Sequence, residues 1–186
     1  MVDVSAPTGI DRQRAVGLLA GTAAFAVVAA CVLRFGLGVE TVVVAAFCAT
    51  LAVISTIDIE TRRIPNRIVL PATAVGLAAV ALLAPDRFGE AMLAGVAAFV
   101  FFCIPGLISA RWVGMGDAKL ALLIGIILGA DTLSALFLAS IGGGLFAAAS
   151  IAVRGRAALT ATFAFGPFIA AGAALALISS GGTLYS

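Results

Sequence analysis

Apolar residues run through this chain in long blocks separated by short polar breaks. The blocks fall at about 15–33, 41–57, 68–84, 91–110, 118–130, 132–153 and 157–179. Six of the seven are 17 to 23 residues long, which suits helices crossing a hydrocarbon core of about 30 Å. The fifth, "AKLALLIGIILGA", is short, and a short helix among full spans is tilted, re-entrant or shielded by its neighbours. Small residues fill the blocks, as in "GTAAFAVVAAC" and "SIGGGLFAAAS", and such residues let helices approach closely in lipid. The pattern predicts an all-α, polytopic transmembrane helical bundle of about seven spans, or six if the fifth is dropped. With no linker long enough to separate two units, residues 1–186 read as one integral-membrane domain. The opening "MVDVSAPTGIDRQRAVGLLAG" has the basic start of a cleaved signal, but its apolar run is long enough to cross the bilayer and is read as a retained first span.

The cationic residues test that count. Taken alternately along the connections, one side collects Arg12, Arg14, Arg62, Arg63, Arg67, Arg111, Lys119, Arg154 and Arg156, the other only Arg34 and Arg87. Nine against two is a positive-inside asymmetry. It predicts a cytoplasmic N-terminus in a multi-pass protein of the cell's inner, cytoplasmic membrane. Dropping the fifth span would scramble the alternation after Lys119.

Composition agrees. The 186 residues are 63% hydrophobic and 11% charged, with a mean hydropathy of +1.23, against about 45–50% apolar and 25% charged in a soluble domain. A net charge of +2 is too small to suggest a nucleic-acid partner. There is no histidine, which removes the usual general base and the commonest metal ligand. Cys31, Cys48 and Cys103 lie inside apolar runs without a CxxC pair, and read as small apolar core residues.

Two polar islands remain. In "STIDIETRRIPNRIVLP", Asp58 stands at the end of the second span, on the cytoplasmic side by the charge count. Alone it reads as a solvated helix-end charge beside Arg62 or Arg63, with Pro65 opening the next helix and Asn66 as a turn residue. In "RWVGMGDAKLALLIG", Asp117 stands at the mouth of the fifth span on the same side. Gly114 and Gly116 before it remove bulk and free the backbone, so that an extended peptide can come close. Alone, Asp117 reads as an acid favoured by a helix N-terminus. Two acids at one depth at a membrane edge are harder to dismiss, because acids there are costly and usually functional. Two carboxyls sharing a proton can activate water as base while the partner protonates the carbonyl oxygen or the leaving amine. This chemistry needs no histidine, metal or reactive cysteine.

Asp58 followed by Ile64-Pro65-Asn66, and Gly114-Met115-Gly116-Asp117-Ala118-Lys119, resemble the two signatures of the type IV prepilin peptidases, membrane aspartyl proteases of the GxGD class. "FAFGPFIAAG", with Gly166 and Pro167, resembles that family's glycine-proline element; Gly-Pro inside a span loosens a helix where backbone lines a cavity. The resemblance covers roughly residues 40–175. It implies that Asp58 and Asp117 are the catalytic pair. Their substrate would be the basic cytoplasmic leader of a prepilin or pseudopilin, cut just before its hydrophobic stretch. Larger bacterial members carry an extra cytoplasmic domain with paired cysteines that methylates the new N-terminus. This chain shows no such domain, so a short, peptidase-only member is expected, resembling tight-adherence pilus or archaeal preflagellin peptidases, with no cofactor and no use of S-adenosylmethionine.

Other residues carry lesser readings. Lys119 is a snorkelling, positive-inside lysine or a tuner of the acid pair through its charge; a Ser109–Lys119 dyad has nothing to set its geometry. Arg62, Arg63 and Arg67 read as topology determinants and lipid-headgroup contacts, and Glu60 as the better partner for a basic leader. Trp112 fits an interfacial anchor. Glu40 and Asp131 read as solvated ends on the far side. Asp58, Glu60 and Asp117 have oxygens for a divalent ion, but the motifs require none. A proton- or cation-coupled transporter would place acids at the midplane and relate its halves by a repeat. A non-catalytic assembly subunit would tolerate loss of either acid.

Overall fold

The computed structural model describes residues 38–108, 115–155 and 164–179, with the isolated positions 29 and 33. The predicted first span lies almost wholly outside the described residues, as do Ser109, Trp112, Gly114 and residues 157–163. Every described element is helical, and no strand occurs among the described residues. Six α-helices follow in order: α1 Val39–Thr61, α2 Asn66–Leu83, α3 Phe88–Ile108, α4 Met115–Leu128, α5 Thr132–Arg154 and α6 Gly166–Ser179. Single 3-10 turns at Pro85–Arg87 and Gly129–Asp131 join α2 to α3 and α4 to α5. Four helical stretches are long and apolar enough to cross a membrane: Val39–Thr61, Asn66–Leu83, Pro85–Ile104 and Met115–Val153. The last is divided by the Gly129–Asp131 turn, where Gly129 takes φ 55°, and Gly166–Leu177 adds a shorter apolar helix.

In α1 the hydroxyls are absorbed locally. Thr50, Ser55 and Thr56 each donate to the carbonyl one turn back, at 2.7–2.8 Å, so these residues enter an apolar helix without an unpaired group. The helix buries Thr41, Val44, Phe47, Cys48, Leu51, Ile54 and Asp58, a stripe at steps of three and four residues. It stops where Arg62 turns left-handed, φ 52° and ψ 36°, and donates its backbone N–H to the Asp58 carbonyl. Pro65, extended at φ −75° and ψ 119°, then sets the start of α2.

The fifth run proves to be shielded. At 14 residues α4 is roughly 21 Å long, short of a hydrocarbon core, yet it is buried nearly all round, from Ala118 and Leu120 to Leu128. A helix apolar on every side belongs inside. It lies against α3 so closely that a Cβ on Gly125 would overlap the Gly95 backbone; a larger residue there would force the pair apart. α5 and α6 form a second close pair, with Gly172 against the Ala135 carbonyl. The core joins Val44, Leu51 and Ile54 of α1, Val69 of α2, Leu120, Leu123 and Ile124 of α4, and Ile169 and Ala173 of α6.

One expectation changes. Gly166 and Pro167 do not interrupt the described helix but open it, as the first two residues of α6. Proline is tolerated in the first turn because its missing N–H would have had no helical partner there.

Candidate active site

The buried stripe of α1 ends in Asp58, which is 4% exposed. Its carboxylate meets the first turn of α6: the Gly166 N–H donates to Asp58 Oδ2 at 2.9 Å in a buried bond. The first N–H groups of a helix have no partner within it and carry partial positive charge, so a carboxylate from another helix satisfies both. Only glycine fits: a Cβ at Gly166 would stand 2.7 Å from Asp58 Oδ2.

Beyond Asp58 the chain turns. The Thr61 hydroxyl, within reach of Ile57 O at 2.8 Å and Arg63 O at 3.2 Å, steadies the end of α1. Ile64 then packs under the start of α4: a Cβ on Gly116 would lie 2.8 Å from Ile64 Cβ. Beside Gly116 stands Asp117, half-buried in the first turn of α4, where an acid suits the helix dipole. Two residues on, Lys119 Nζ donates to Asn66 Oδ1 at 2.9 Å. The turn after Asp58 is thereby linked to the residues on both sides of Asp117. The end of α1 and the starts of α2, α4 and α6 thus gather at one end of the bundle.

Of the residues singled out from the sequence, Asp58, Asn66, Gly116, Asp117, Lys119 and Gly166 belong to this gathering, with Pro65 and Pro167 half-buried in its turns. Glu60 is exposed in the last turn of α1, pointing away from the stripe that carries Asp58. Gly114 lies outside the described residues. Among the described residues no three acidic, histidine or cysteine groups gather as a metal site.

Missing from the sequence reading is an aromatic lining. Phe165, next to Gly166, has its ring 6.3 Å from Phe102 of α3 and 6.3 Å from Phe168, which in turn lies 5.4 Å from Phe146 of α5. Gly143 makes the room, since a Cβ there would stand 2.5 Å from Phe165. These rings wedge the entry of α6 between α3 and α5, and hence hold the N–H that reaches Asp58. Phe165 and Phe168 flank the Gly-Pro element, but nothing in the sequence brings Phe102 or Phe146 to them.

The family model of the type IV leader peptidases matches residues 45–149, a stretch holding both acids. The chain belongs to that family. It is 35% identical over 151 residues to a prepilin leader peptidase/N-methyltransferase of Bacillus subtilis (strain 168), covering 81% of this chain and 60% of that protein. Over 135 residues it is 30% identical to the protein of that name from Burkholderia pseudomallei (strain 1026b), covering 70% and 44%. The chain therefore spans less than two thirds of these relatives. No solved structure matches it.

Proposed function

We propose that the protein is a membrane aspartyl endopeptidase that removes the basic leader of a type IV prepilin or pseudopilin, with Asp58 and Asp117 as its catalytic pair. The observation that carries this reading is the buried Asp58 carboxylate, at the same end of the bundle as the first turn of α4 and Asp117. An acid withdrawn from water at a membrane edge is costly and is retained for chemistry. In the reaction, one carboxylate takes a proton from water as the water oxygen adds to the scissile carbonyl carbon. The other carboxyl gives its proton to the carbonyl oxygen; as the C–N bond breaks, the first carboxyl passes the proton it took from water to the leaving amine, and the diol returns a proton to the second carboxylate. Gly114 would let the substrate backbone approach Asp117, whereas the space at Gly116 is taken by Ile64.

The membrane arrangement proposed with it has seven spans in one domain, 1–186, with the N-terminus in the cytoplasm and cleavage at the cytoplasmic face of the inner membrane. Exposed apolar residues such as Val75, Leu82, Leu133 and Phe137 face lipid chains. Glu60, exposed near the site, attracts the basic leader, while Arg62, Arg63 and Arg67 contact headgroups.

Cleavage of a prepilin-type peptide by purified protein, with Asp58→Asn and Asp117→Asn beside it, tests the reading. Asn keeps the shape of each side chain and removes the proton the pair shares. Cutting by the wild type and none by either folded variant is expected. A wild type inert toward several leaders, or a variant that still cuts, would sink the proposal, and ion-flux assays would then come first.

A further inference from the structure

A cation is disfavoured close to a helix N-terminus, which already carries partial positive charge. The only lysine of the chain stands near one, at Lys119, just past the first turn of α4, and its ammonium donates to one specific acceptor, Asn66 Oδ1, at 2.9 Å. Asn66 is the first residue of α2 and lies eight positions after Asp58; Lys119 lies two after Asp117. On the other side of Asp117, Gly116 packs on Ile64 of the same turn. Asp117 is therefore bracketed by two contacts with the segment that follows Asp58. Direct packing of α1 on α4 does little of this: α4 packs chiefly on α3 and α2, while α1 packs chiefly on α6.

We infer that Lys119 and Asn66 are a positioning pair, whose hydrogen bond sets the depth and rotation of the first turn of α4 and so where the Asp117 carboxyl stands relative to Asp58. The inference rests on the peptidase reading. Lysine can only donate, so the bond also fixes which way the Asn66 amide faces. A pair that places a reacting group without holding substrate affects the rate of the bound complex rather than its formation.

The test uses the full chain and a prepilin-type peptide. Lys119→Met and Asn66→Leu should each lower kcat by about tenfold, the scale of a lost charged hydrogen bond, with KM unchanged. The double variant should be no worse than either single, since both remove one interaction. Lys119→Arg, which keeps a donor, and Asn66→Asp, which keeps an acceptor, should recover most of the lost kcat. Wild-type rates in the single variants, losses that multiply in the double, or a loss confined to KM would each overturn the pair. Recovery by Lys119→Arg but not by Asn66→Asp would overturn it in favour of an Asn66 amide that donates to substrate. A readout independent of turnover separates this from failure of the peptidase reading: maleimide labelling of Asp117→Cys, with and without Asn66→Leu, which breaks the bond but keeps the lysine's charge beside the thiol. A changed labelling rate without the asparagine is expected even from a protein that cuts nothing, and unchanged labelling overturns the pair.

Discussion

The two ends of this bundle use the same bond in opposite surroundings. At one end the Gly166 N–H, opening α6, donates to Asp58 Oδ2 at 2.9 Å. At the other, the Ala130 N–H, in the turn before α5, donates to Glu90 Oε1 at 3.0 Å. Each carboxylate thus satisfies an N–H at the start of another helix. Glu90, however, has a side chain 43% exposed and a cation nearby, Arg87 Nε at 3.7 Å, whereas Asp58 is 4% exposed. The solvated clamp is a cheap way to pin one turn against another. A buried carboxylate is not, because dehydrating a charge costs several kcal/mol and a hydroxyl or amide would satisfy the same N–H for less. The difference between the ends is what supports the proposed chemical role of Asp58 over that of a fastener.

Gly166→Ala attacks the buried member of the comparison and should have the largest effect. Its Cβ would stand 2.7 Å from Asp58 Oδ2, so the carboxylate or the start of α6 must move. Displacement of a reacting group by about 1 Å can cost on the order of a hundredfold in rate. Cleavage of a prepilin-type peptide should fall by about that factor while the helical circular dichroism is kept. A variant cutting at the wild-type rate would mean that the Gly166 contact is only structural.

Much of this end was legible in the sequence, and the reasons are specific. Asp58, Asp117 and their flanking glycines and proline stand out because they are polar or conformationally special in an apolar chain. The alternation of arginines placed both acids on one side, and the gathering of Ile64, Asn66, Gly116 and Lys119 agrees with that. The buried face of α1 was not legible. Val44, Leu51 and Ile54 face the core and Val39 and Val42 face outward, but lipid and core both accept apolar residues, so the pattern carries no contrast. The Gly-Pro element stands out in the sequence, but its place at the start of α6 does not, because local sequence does not tell the first turn of a helix from its middle. Partners 108 and 53 residues apart, Gly166 with Asp58 and Lys119 with Asn66, follow from packing alone. The Glu90 clamp left no signal, since an acid in a first turn looks like any other.

At the solvated end, Gly129→Ala should act on stability and spare the chemistry. Gly129 has φ 55°, a conformation costing other residues about 1–2 kcal/mol, and its Cβ would come within 2.8 Å of Glu90 Oε1. That end is remote from both acids, so the midpoint of thermal unfolding in detergent should drop by a few degrees while kcat for leader cleavage stays near the wild-type value. A large loss of activity without loss of stability would show that the far turn reaches the site, and the contrast between the ends would weaken.

The smallest effect is expected from Glu90→Gln, and its smallness is the point. Glutamine keeps an oxygen for the Ala130 N–H and loses only the attraction to Arg87, an exposed pair at 3.7 Å between residues one helical turn apart. Pairs of that kind contribute about 0.3–0.5 kcal/mol, so the unfolding midpoint should barely move, and the little that changes should vanish in high salt as the charges are screened. Asp58→Asn makes the same chemical exchange at the buried end, keeping an oxygen for the Gly166 N–H, and there cleavage should be abolished. One substitution of acid by amide, harmless at Glu90 and fatal at Asp58, would separate the fastening role of such a carboxylate from its chemical one. If Glu90→Gln also abolished cleavage, burial would not be what distinguishes the two ends.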